Sequence, residues 1–139
     1  MIVLDTDHLN VLAVPGPRAD RLAAKLEQSA DGEFAMTIVS IEEQMRGWLA
    51  DIRRQLIPTR QVRPYERLHR LVGFWALWRV LPFDNAAAAR FQALRKQLRV
   101  GSQDLKIAAI ALVAGATLVT ANARDFEQVP GLSIEDWLD

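Results

Sequence analysis

Cysteine is absent from this 139-residue chain. That excludes a disulfide framework, a thiolate zinc site and a cysteine nucleophile, and it agrees with a reducing compartment. An excess of charge of either sign is also missing, since 17 Lys and Arg balance 17 Asp and Glu. Net charge therefore neither favours nor excludes a nucleic-acid partner, and only the distribution of charge can speak to it. No apolar run reaches the roughly 18 residues of a spanning helix, so a membrane segment is not expected. The start MIVLD lacks a basic n-region and a small-residue cleavage site, so it does not read as a signal peptide, and a cytoplasmic location is expected. Histidine occurs only at positions 8 and 69. His8 would point along a short helix and His69 lies on a basic helix face, so neither is expected to be a catalytic group. Internal repeats, low-complexity tracts and a second domain boundary are lacking too. A single domain over residues 1–139 is expected.

What is present is an ordinary globular composition, 50% hydrophobic and 24% charged, arranged as alternating strand and helix signals. Ile2 to Leu4 reads as a short buried strand. Asp7 suits the cap of a short helix over Leu9 to Ala13, ended by Pro15-Gly16-Pro17. Ala19, Leu22, Ala23 and Leu26 keep helical spacing within a helix from Arg18 to Ser29. Phe34 to Val39 is a nearly continuous apolar run, as in a central parallel strand. Ser40 then opens a long helix with Ile41, Met45, Trp48, Leu49, Ile52 and Leu56 on one stripe, broken by Pro58. Pro64 suits the first turn of a further helix. Val80 to Phe83 reads as a strand, Asp84 as the cap of the next helix, and Asp104 to Ala114 as a very apolar helix stopped by Gly115. Thr117 to Thr120 is a strand, and Leu132 to Ile134 a possible edge strand after the Pro130-Gly131 turn. This alternation predicts an α/β fold with a mainly parallel central sheet flanked by helices.

The acids are not scattered over that pattern. Asp5 directly follows the first strand, and Glu42 and Glu43 lie just past the second. Asp104 opens the apolar helix before the Thr117 strand, and Asn122 and Asp125 follow that strand. Loops after the strands of an open parallel sheet share one edge, which is the usual ligand crevice. Asp5, Glu43, Asn122 and Asp125 should therefore converge, and Asp104 joins them only if its helix starts at the same edge. Anions sharing a crevice raise one another's pKa unless a cation intervenes. All-oxygen ligation suits Mg²⁺ or Mn²⁺. Such a set, without an evident nucleophile or base, points to metal-assisted phosphodiester hydrolysis.

Each acid also has a local explanation. Ser40-Ile41-Glu42-Glu43 fits the S-x-x-E capping box, in which Glu43 would serve the Ser40 amide. Asp104 would favour its helix macrodipole by about 0.3–1 kcal/mol. Asp7 and Asp84 suit caps, and Asp125 an ordinary turn. Asp5 has no such local reason. Trp48, Trp75, Trp78 and Trp137 suit core or interface packing better than base stacking. Between Arg46 and Arg79 eight arginines stand against two acids, Asp51 and Glu66. This basic helical pair suits a phosphate-rich ligand beside an acidic pocket.

Four segments, IVLDTD, TIVSIEEQMRG, VGSQDLKIAAIAL and ATLVTANARDFEQVPGL, carry a resemblance over nearly the whole chain. In order and spacing they resemble the PIN-domain ribonucleases of the VapC toxin type. The resemblance implies a Mg²⁺- or Mn²⁺-dependent endoribonuclease with RNA as substrate, a homodimer, and neutralisation by a small antitoxin protein. It places the metal-binding acids on Asp5, Glu43 and Asp104, with Glu42 a neighbour. At the fourth motif many members carry an acid where this chain has Asn122, with Asp125 three residues on as a possible support, which puts a full second metal site in question. Asp7 stands where many members have Asn. Two other functions share some of these features. One is a haloacid-dehalogenase-like phosphatase that would use LDTD, Lys106 and Glu135-Asp136. The other is a PIN-like module that binds RNA or protein without cutting.

Overall fold

β1 (Ile2–Leu4) is the middle of a five-stranded sheet because its side chains are apolar on both faces and it is buried on both. The computed structural model describes residues 1–138. Four more strands complete the sheet: β2 (Phe34–Thr37), β3 (Arg79–Leu81), β4 (Thr117–Val119) and β5 (Ser133–Glu135). Their order is β3-β2-β1-β4-β5 and every pairing is parallel, with Ile2 opposite both Phe34 and Thr117 and Leu118 opposite Ile134. Helices α1 (Thr6–Ala13), α2 (Pro17–Gln28), α3 (Ile38–Arg54), α4 (Pro58–Trp75), α5 (Asn85–Arg95), α6 (Ser102–Ala114) and α7 (Ala123–Phe126) make the connections. This is the single α/β domain expected from the sequence.

Alternation along the strands divides the interior into two cores. Val3, Ala35 and Leu118 face α5 and α6, where Phe91, Leu94, Leu105 and Ile107 are buried. Ile2, Leu4, Met36 and Val119 face the other way, with Leu9, Trp75, Trp78 and Trp137 packed on that side. α6 is apolar on nearly all sides because it lies inside the larger core, where Leu105 and Ile107 through Ala111 are all buried. It ends on Gly115 at φ 64°, a left-handed conformation that glycine adopts without a Cβ penalty.

Several boundaries differ from the sequence expectation. Asp5, and not Asp7, caps α1: its side chain accepts the His8 amide, so the helix begins at Thr6, three residues before the expected Leu9. β2 stops at Thr37, whose hydroxyl accepts the Ser40 amide at 3.2 Å and turns the chain into α3 before the apolar run is over. The Ser40–Glu43 capping box therefore does not form. α3 ends at Arg54, and Leu56 is 92% exposed and not part of a buried stripe; Met45 and Leu49 are also largely exposed. Pro58 starts α4 at its first turn, and Pro64 lies inside that helix. The carbonyl that Pro64 leaves without a partner belongs to Arg60, an exposed residue that water can serve. Asp84 caps α5 as expected, accepting the Ala87 amide at 2.9 Å.

Leu118 is fully buried on the larger-core face of β4. Leu118→Ala should cost about 2–5 kcal/mol through lost burial and a residual cavity. Urea unfolding followed by circular dichroism measures this, and an unchanged midpoint would contradict the packing described.

Candidate metal and nuclease site

Parallel strands joined by right-handed crossovers return through helices that run against them, so each such helix begins at the edge where the strands end. α6 leads into β4 in this way. Its first turn therefore brings Asp104 to the edge where β1, β2 and β4 release Asp5, the start of α3, and residues 120–125. Asn122 bonds both Asp104 and Asp125, and Asp5, Asp7, Glu43 and Asp104 lie near enough for their charges to act on one another.

Asp5 is held most firmly. Its Oδ1 accepts the His8 amide at 3.0 Å and the His8 ring Nδ1–H at 2.8 Å, and its Oδ2 accepts the Ala121 amide at 3.1 Å. Burial alone would raise its pKa, but the bonds from the His8 ring and amide, together with the Thr120 hydroxyl, outweigh it and hold the carboxyl below the usual range. Glu43 Oε1 accepts the Thr6 hydroxyl at 2.8 Å. Thr6 Oγ1 also lies 2.9 Å from Ser40 Oγ, and having one proton it gives that proton to the carboxylate and accepts from Ser40. Asn122 spans the fourth side. Its Nδ2 donates to Asp104 Oδ2 at 3.2 Å and to Asp125 Oδ2 at 2.9 Å, while its backbone N–H donates to Thr120 Oγ1 at 2.9 Å.

No basic side chain forms an ion pair with Asp7, Glu43, Asp104 or Asp125 among the described residues. The charge shows in their titration. Burial pushes Glu43 up, and the charges of Asp104, Asp7 and Glu42 add to it. Burial also pushes Asp104 up, reinforced by Asp125, Asp5 and Asp7, and Asp7 rises through burial and the charge of Asp5. Among the described residues, no group of three His, Asp or Glu side chains is drawn close enough to grip an ion as it stands. The donors are nonetheless of the right type for a hard cation. They are carboxylate oxygens, mutually repelling, with Glu43 Oε2 and Asp104 Oδ1 free of protein donors among the described residues.

Three further residues support the acids. His8 is fully buried against Asp5, and Thr6 and Ser40 serve Glu43. The spacing Asp5-x-x-His8 was the available signal, since it lets a helix cap take both the backbone and the side chain of its third following residue. Elsewhere, Arg46 pairs with Glu42, Arg54 pairs with Asp51, and Arg67 stacks over Trp48 at 5.1 Å. Arg53, Arg60, Arg63, Arg70 and Arg79 have no carboxylate partner among the described residues. Trp75 donates its indole N–H to Gln44 and fixes α4 on α3. Lys106, needed by the phosphatase alternative, stacks over the rings of Phe83 and Phe91.

A single parallel α/β domain with acids from four chain segments near one sheet edge is shared with a known family. The PIN domain family matches residues 2–132, and the chain belongs to that family. A chain from the VapBC2 complex of Rickettsia felis bound to promoter DNA superposes with a TM-score of 0.76 at 25% identity over 99% of both chains. The DNA-bound VapBC of Salmonella typhimurium gives 0.74 at 26% identity, covering 98% of this chain and 97% of that one. In sequence, the tRNA(fMet)-specific endonuclease VapC of Salmonella typhimurium is 39% identical over 79 residues, which are 53% of this chain and 60% of that relative. The matched stretch is thus less than two thirds of that relative's length. Membership in this family sets aside the phosphatase alternative. No helix among the described residues is long and apolar enough to cross a membrane.

The raised pKa of Asp104 has a definite sign in stability. A folded-state pKa above the unfolded value contributes stability at low pH, which is lost as pH rises through the folded pKa. At pH 7 without divalent ions Asp104→Asn should therefore melt at a higher temperature than the parent. The gain should vanish below the unperturbed value of 3.8, where both side chains are neutral. Thermal melts from pH 3 to 8 in chelator test this, and a variant destabilised at pH 7 would count against charge repulsion in the crevice.

Proposed function

We propose that this PIN domain is a Mg²⁺- or Mn²⁺-dependent endoribonuclease that hydrolyses RNA phosphodiesters and acts as the toxin of a type II toxin–antitoxin pair. The observation that carries it is a set of carboxylates gathered near one sheet edge, of which Asp7, Glu43, Asp104 and Asp125 have no basic partner among the described residues. Asp5, Glu43 and Asp104 would hold the ion. Asp5 supplies a carboxylate that stays charged, and Glu43 and Asp104 supply free oxygens whose repulsion the ion relieves. A bound divalent cation would lower the pKa of a water and stabilise charge on the phosphoryl oxygens. Asn122, steadied by Asp125 and by Thr120, would orient the attacking water through its amide oxygen. The unpaired arginines of α3 and α4 would hold the RNA backbone. Two relatives carry names that support the nuclease reading: the tRNA(fMet)-specific endonuclease VapC described above, and Ribonuclease VapC2 of Rickettsia felis, 42% identical over 48 residues, which are 34% of this chain and 36% of that protein. The VapBC complexes among its structural neighbours support an antitoxin partner. A homodimer in the cytoplasm is the assembly that belongs to this reading.

One feature favours a second reading, a PIN module that binds RNA or protein but cuts weakly. At the fourth motif an amide replaces an acid, and its donors are already taken up by Asp104 and Asp125.

Incubating the protein with a tRNA pool separates the two. Cleavage should appear with Mg²⁺ or Mn²⁺ and stop in EDTA. Asp5→Asn, Glu43→Gln and Asp104→Asn should each fall to the EDTA level while keeping native circular dichroism. RNA bound but left intact by the parent at every metal concentration would establish the second reading.

A further inference from the structure

Trp137 is held at both of its backbone groups. Its N–H donates to His8 Nε2 at 3.3 Å, and its carbonyl accepts Lys25 Nζ at 2.8 Å. Its ring packs against the core that holds Ile2, Leu4 and Leu9. Accepting at Nε2 leaves the His8 proton on Nδ1, and that N–H donates to Asp5 Oδ1 at 2.8 Å. His8 is fully buried between the two and both ring nitrogens have a partner, with Asp136 Oδ1 a further 3.7 Å from Nε2. Oδ1 accepts the His8 amide as well, so both of its lone pairs are used. A cation reaching Asp5 from the crevice therefore meets Oδ2.

The geometry points to His8 and the Trp137 backbone amide as positioning groups for the ion site, a two-bond relay by which the segment after β5 selects the oxygen of Asp5 that faces the crevice. This inference rests on the assignment of Asp5 as an ion ligand. Partners outside the ligand shell that orient a ligating side chain commonly tune ion affinity by about 10–100-fold. Without the relay, Asp5 keeps the His8 and Ala121 amides, one on each oxygen, but Oδ1 loses its shortest bond and regains a lone pair, so an ion is no longer directed to Oδ2. The contact between them is not legible in the sequence, since His8 is 129 residues from Trp137.

The test is Mn²⁺ affinity measured by electron paramagnetic resonance without RNA, at a temperature where circular dichroism shows each variant folded. Asp5→Asn provides the reference for losing the ligand. His8→Phe fills the ring volume without either bond and should bind Mn²⁺ about tenfold more weakly. His8→Asn places an amide nitrogen where Nδ1 stands and should recover part of that loss. For the other end of the relay, Trp137→Ala keeps the backbone N–H and Trp137→Pro removes it, so the proline variant should bind more weakly than the alanine variant. Equal affinities for Ala and Pro at 137, or an unchanged affinity in His8→Phe while Asp5→Asn is weakened, would overturn the relay and leave Asp5 as a ligand. An unchanged affinity in Asp5→Asn would instead overturn the ligand assignment, and the relay with it.

Discussion

A buried carboxylate at the end of a central strand is the constraint from which the rest of the site follows. Asp5 cannot stay ionised there without donors, because taking a charge out of water is costly unless it is hydrogen-bonded. The chain meets that demand by turning at once into α1, so that the His8 amide and ring reach back to Asp5, and by passing the Ala121 amide over its other oxygen. The direction of α1 and the path of the chain after β4 are thus set by the same carboxylate. That is also why a short three-residue strand can fix the position of a side chain so closely.

Around this fixed anion the other acids are less satisfied. Glu43 and Asp104 each receive one neutral donor, from Thr6 and Asn122, and both titrate above their ordinary range through burial first and neighbouring charge second. A crevice of this kind stores electrostatic repulsion that stability alone would remove. The chain spends its arginines elsewhere, on α3 and α4, where several have no carboxylate partner among the described residues. The two charges are thereby kept apart, an acidic sheet edge and a basic helical pair on one neutral molecule.

Much of this organisation was legible from local chemistry. The Asp84 cap, the apolar α6 and its Gly115 stop follow from rules that act within a few residues, and they lie where expected. The errors came where a tertiary partner competed with a local one. Ser40 and Glu43 match a capping box, but Thr37 sits one turn earlier and takes the Ser40 amide, which frees Glu43 for Thr6 on another helix. Pro64 looks like a helix start only when Pro58 is taken as a breaker; once Pro58 opens α4, Pro64 becomes interior and its lost bond falls on an exposed turn. His8 is not expected to be catalytic and the structure gives it no such role; what local sequence does not show is its second partner, the Trp137 amide 129 residues away.

The sequence by itself determined the order of elements, the parallel α/β class and the side of each strand on which its acids emerge. Those depend on side-chain periodicity and on the handedness of short connections, both local properties. Only the tertiary structure decided which donors each acid receives, which of them stays charged, and that the chain's last residues reach back to its first helix. Such outcomes depend on burial and on atoms tens of residues apart meeting within hydrogen-bond distance, and no local pattern encodes that meeting.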